Sequence, residues 1–270
     1  MAIDQAAVKA MKTALGAGDG AAAVAAAIEA HGEGAAPLLR RAAKGSKARE
    51  EALADLLLAR GDAGCAVSDA MVGGLLGDAA HPARSGVAQK CAFDPRRIRL
   101  APALRPIAAD RSDPDWSFAV MSLGALRDPG ALDLLMEQTC GVETPFPVLA
   151  ALVPLRAPEA ALLFEPMLAH PEPRYRTYAL WGLAGVGYET AVGGLVALLE
   201  DPDMWSAQSF APGQARRAAQ ALADLFDWPF EARPDPVAEI RARCRERFSA
   251  AFVEACAADL GAGRLRLTYD

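Results

Sequence analysis

Apolar positions along the chain recur at helical spacing. Within 174–186, Tyr175, Tyr178, Ala179, Gly182 and Val186 contain the i, i+3, i+4, i+7 set of one helix face. One phrase then repeats: an apolar helix end, a short turn and a new amphipathic helix. It reads AIEAHGEGAAPLL (27–39), ADLLLARGDAG (54–64), SLGALRDPGALDLL (122–135) and ALVPLRAPEAALL (151–163). Two further copies are ALWGLAGVGYETAVGGLVALL (179–199) and QALADLFDWPF (220–230). A leucine-like slot falls at Ile28, Leu56, Cys91, Leu123, Leu152, Leu183 and Leu222. The intervals average about 32 residues, a period that marks stacked helical pairs.

A second turn separates the two helices of each unit: AKGSKA, GDAAHPA, DRSDPD, CGVETPFP, AHPEPR and EDPDMW. Proline cannot extend the preceding helix, and the residue before it is pushed out of helical geometry. Asp and Ser at such places accept the free amide protons of the next helix. One hairpin cannot hide its apolar face alone, so neighbours must complete the burial.

HPEPRYRTYALWGLAGVGYETAV (170–192) and DPDWSFAVMSLGALRDPGAL (113–132) resemble HEAT repeats of the short bacterial kind, the PBS-lyase HEAT-like repeats. The resemblance covers about residues 20 to 230. It implies an all-α fold: an α-solenoid of about seven stacked hairpins over 1–233. The family's arginine after the turn matches Arg49, Arg84 and Arg176, with Arg216 one position off; Trp116 and Pro145 replace it elsewhere. The copy at 142–160 is degenerate, and its second helix is expected to be irregular around Pro145, Pro147 and Pro154. Residues 203–214 enlarge the last inter-helix turn. Residues 234–270 read as a C-terminal cap, one helix from about Pro236 to Leu260 and then an alternating, strand-like tail RLRLTYD.

Composition agrees. There are 62 alanines against 25 Val, Ile and Thr together, which favours helix over sheet. The formal net charge of −6 argues against a nucleic-acid partner, which usually meets a basic excess. Cys65, Cys91, Cys140, Cys244 and Cys256 are scattered, odd in number and without a C-x-x-C pair, the pattern of reduced thiols. With no signal peptide visible and the longest apolar run confined to Ala21–Ile28, the expected location is cytoplasmic and off the membrane.

Candidate chemistry is sparse. His31, His81 and His170 fall at turns and form no ligand motif, so neither a metal nor a cofactor is expected. The close pairs Asp113/Asp115 and Asp201/Asp203 read as caps. The arginine cluster Arg96, Arg97, Arg99, Arg105 and Arg111, and Arg241, Arg243, Arg245 and Arg247 on the cap helix, read as solvated faces paired with nearby acids. The expected function is a non-catalytic scaffold or adaptor that holds a partner protein in a concave groove. Its expected contacts are Arg49, Arg84, Trp116, Arg176 and Arg216, with Trp205 and Phe210 as loop anchors. The alternative that the resemblance brings is a HEAT-like DNA glycosylase, using Trp116, Trp181 and Asp115, or a bilin-lyase-like enzyme.

Overall fold

A computed structural model describes residues 4–200, 214–230 and 235–265. The chain divides into two compact units, Met1–Leu134 and Leu135–Asp270. Among the described residues the regular structure is all helical, with no β-strand.

The N-terminal unit contains α1 (Gln5–Ala17), α2 (Gly20–His31), α3 (Ala35–Ala43), α4 (Lys47–Asp62), α5 (Ala66–Leu76), α6 (Arg84–Lys90), α7 (Ala101–Ala109) and α8 (Trp116–Ala125). Helix α9 (Leu132–Met136) carries the chain across the division. The C-terminal unit continues with α10 (Phe146–Leu152), α11 (Ala161–Met167), α12 (Pro173–Gly185), α13 (Glu189–Glu200), α14 (Gln214–Leu225), α15 (Pro236–Arg247) and α16 (Ala250–Gly261). Consecutive helices pack on one another in both units, as α4 does on α5, α7 on α8, α11 on α12 and α12 on α13. The slot residues Ile28, Cys91, Leu123, Leu152, Leu183 and Leu222 are all buried. Leu56 is half-buried and its neighbour Leu57 takes the core position.

Five turns use one device. Asp94, Asp113, Asp128, His81 and His170 each precede a proline. Each side chain accepts the backbone N–H two residues on, at 2.8 to 3.4 Å. Proline offers no N–H, so the first available donor lies just beyond it, and a short polar side chain captures that donor. The histidines at 81 and 170 therefore fold turns with Nδ1.

Two departures have local causes. The expected single helix at 236–260 is two helices. Phe248 is extended, and the Ser249 side chain accepts the Phe252 N–H, which starts α16. Both helices pack on the helices before them, α15 on α14 and α16 on α13. The degenerate copy is irregular as expected: α10 spans seven residues and gives way to a 3-10 turn at Val153–Leu155. The strand-like tail lies largely outside the described residues.

Close helix approach relies on small residues. A Cβ at Gly182 would run into the Phe164 ring, and one at Gly193 into the Cys256 side chain. Gly16 in α1 has open space around it. Opposite outcomes follow for one chemical change. Gly16→Ala should stabilise by about 0.5–1 kcal/mol through helix propensity, whereas Gly182→Ala should destabilise by about 1–3 kcal/mol through overpacking; urea unfolding of both variants checks this.

Candidate functional site

The N-terminal unit contains an open cleft of about 520 Å³ between α3, α4, α5 and the turn at 77–83. Its floor is apolar and buried: Ala43 from α3, Leu53, Ala54 and Leu57 from α4, Met71 and Leu75 from α5. Charged groups stand at its edge: Arg40, Lys44, Glu50, Asp78 and His81.

The two turns that frame the cleft use most of these charges. Gly45, at φ 82°, turns the chain out of α3. Glu50 then accepts the Gly45 N–H at 3.1 Å. After α5, Asp78 accepts the Ala80 N–H at 3.0 Å and His81 Nδ1 the Ala83 N–H at 3.2 Å. Arg40 and Lys44 differ. Both are exposed, and their side chains make no ion pair or hydrogen bond among the described residues. Arg40 reaches toward α5, its Nη2 standing 3.4 Å from where a Cβ on Gly74 would lie.

The far wall of the cleft ends at Pro82, and Arg84 fixes it. Arg84 Nε donates to the Leu76 carbonyl at 2.8 Å, closing the turn onto the end of α5. Its guanidinium donates to Asp113 at 2.7 and 2.8 Å and to Asp115 at 3.0 Å. The Ser85 hydroxyl also donates to Asp115. Arg84 is 4% exposed, so it is a buried tie between α5, α6 and the start of α8, and is no contact for a partner. Its hydrogen bonds hold the Asp113 carboxyl below the usual carboxylate range, against the opposing effect of burial.

This tie belongs to a series. Arg97 to Asp62, Arg99 to Asp69, Arg105 to Asp128 and Lys90 to Asp55 link positions 23 to 35 residues apart. Each cation therefore reaches an acid well separated from it along the chain. The Ser122 hydroxyl joins the series by donating to the Ala88 carbonyl at 2.6 Å. Most of the central arginine cluster is therefore internal bracing.

The other expected contacts fall as follows. Arg49 is half-buried, with a buried Nε that has no hydrogen-bond partner among the described residues. Trp116 is half-buried at the start of α8, with the Arg111 guanidinium 6.0 Å from its ring centre. Arg176 folds its own turn, donating to the His170 and Pro171 carbonyls at 2.7 and 2.9 Å. It also lines a small cleft of about 150 Å³ with Leu168, Thr177 and Leu180. Arg216 is exposed, 5.4 Å from the Phe230 ring centre. Trp205 and Phe210, like Asp201 and Asp203, lie outside the described residues. Trp181 is half-buried and its indole N–H donates to Asp224 at 3.3 Å. Asp115, the acid of the glycosylase layout, is 4% exposed and held by Arg84 and Ser85.

Among the described residues no group of three or more His, Cys, Asp or Glu could hold a metal ion. No helix of the described residues is long and apolar enough to cross a membrane. Burial pushes the Cys91 thiol up to about 12, which keeps it protonated. Comparison with protein-family models, with curated proteins and with solved structures finds no match.

Sequence reasoning missed the cleft because its floor looks like ordinary core. A faint signal exists in the small lining residues Ala43, Ala54 and Gly74, which stand on three helices beside the basic end of α3.

Arg84→Ala should cost about 3–5 kcal/mol, because it leaves the buried Asp115 and half-buried Asp113 without their cation. Acid should act on the same tie. Asp113 titrates lower in the folded chain than in the unfolded one, so its contribution is full above the unfolded value. It is lost as pH falls from about 4 through the depressed folded value. Asp113→Asn should therefore flatten the acid limb of stability against pH, measured by urea midpoints between neutral and strongly acidic buffer.

Proposed function

We propose that this chain is a HEAT-like scaffold whose N-terminal unit holds a segment of a partner protein in the cleft between α3, α4 and α5. The observation that carries this reading is the cleft itself: an open, apolar floor with charges confined to its edge. Ligand sites are concave and mostly apolar, with a few polar groups at defined places. The all-helical packing and its long-range ion pairs support the scaffold, and the Arg84 tie makes the cleft wall a fixed feature.

The groove contacts proposed here are therefore Arg40, Lys44 and the apolar floor. Arg84 acts behind them as a positioning residue. Arg176 and Arg216 belong to the C-terminal unit and are no part of this site.

Gly74 and Ala80 are exposed at the lining of the cleft, so a large residue at either should block it without opening the core. Gly74→Trp and Ala80→Trp should unfold within about 1 kcal/mol of the wild-type chain. Both should lose the binding of peptides selected against the wild type, measured by fluorescence anisotropy. Peptides that bind the blocked and open forms equally would refute the site.

A further inference from the structure

We infer that the occupant of the α3–α4–α5 cleft is an amphipathic helix with an acidic edge: apolar side chains on the floor and a carboxylate between Arg40 and Lys44. This rests on the reading of the cleft as a partner-binding site and adds the chemistry of the partner.

Charge complementarity carries the argument. Of the groups at the edge, Glu50, Asp78 and His81 each hold a backbone N–H of a framing turn. Arg40 and Lys44 hold nothing among the described residues, while Arg84, Arg97, Arg99 and Arg105 of the same unit are all paired with aspartates. Two unpaired cations standing beside an apolar floor select a ligand that is apolar on one side and anionic beside it. A guanidinium meets a carboxylate through two parallel N–H donors, and a lysine adds a point charge.

The floor narrows the class to a helix. Leu53, Leu57, Met71 and Leu75 offer no side-chain donor or acceptor of ordinary strength, so nothing in the floor can satisfy an exposed ligand backbone. A helix satisfies its own backbone and presents apolar anchors at i, i+3 and i+4. Met71 is unbranched and adapts to the shape of such anchors. The small lining residues Ala43 and Ala54 give those anchors room.

The test uses the full chain. A random linear peptide library is selected against the wild type, against Gly74→Trp and against the charge-reversed double variant Arg40→Glu/Lys44→Glu. Peptides recovered from the wild type are then synthesised and measured by anisotropy at low and high salt. The expected peptides carry apolar residues at helical spacing with Asp or Glu beside them, and they are absent from the Gly74→Trp selection. Charge reversal should weaken them about tenfold or more, the scale of losing one charge-assisted hydrogen bond. The charge-reversed chain should instead recover Lys- or Arg-bearing peptides, and added salt should weaken both sets. Both variants are changed only at exposed positions, and circular dichroism melting confirms the fold. Cleft-dependent peptides with no acid preference, or an unchanged affinity after charge reversal, would overturn this inference and leave the partner-binding reading intact. Recovery of no cleft-dependent peptide at all would overturn both.

Discussion

The structure of the N-terminal unit depends on one buried cation. Arg84 brings together the last carbonyl of α5, the first turn of α6 and two carboxylates that precede α8. A guanidinium suits this place, because its donors are rigid, planar and several. Each partner would be costly to bury alone, and the arrangement is tolerable because all four carboxylate oxygens accept a hydrogen bond. The bonds are also long-range in sequence, at 29 and 31 residues, so they join the start of α6 to the segment that precedes α8. Apolar packing between alanine-rich helices is non-directional, and this tie gives it a register.

The cleft follows from that register. Its outer wall is the turn at 77–83, in which only Ala83 is buried. Asp78 and His81 shape that turn, and Arg84 fastens it to α5. The small residues of α3, α4 and α5 keep the space open, and the end of α3 supplies the two unspent cations. Structural charges and available charges are thus separated within a few residues of one another. The proposed role uses only the available ones.

Much of the fold was legible. The helical period, the turns before proline and most of the buried slot residues all follow from local rules, because helix periodicity and proline geometry act at short range. Leu56 missed the core by one position, since a register error of one residue rotates a helix face by about 100°. Ser249 was overlooked as a cap, so two helices read as one. The site was far less legible. Arg84 and Arg176 stood out as a repeated residue after a turn, and that repetition reflected turn closure and ion pairing. No spacing rule distinguishes a buried arginine with two aspartates from an exposed one, because the partners lie 29 and 31 residues away. Arg40 and Lys44 were passed over for the opposite reason: nothing repeats there. Their meaning appears only when the floor beside them is seen.

If the Arg84 tie is what couples α5, α6 and α8, these segments must open together. Native-state hydrogen exchange in increasing denaturant measures this directly, amide by amide. The account predicts that the last turn of α5, helix α6 and the first turn of α8 lose protection at a single opening free energy. Separate opening energies for these three segments, with α6 exposed while α8 stays protected, would contradict it.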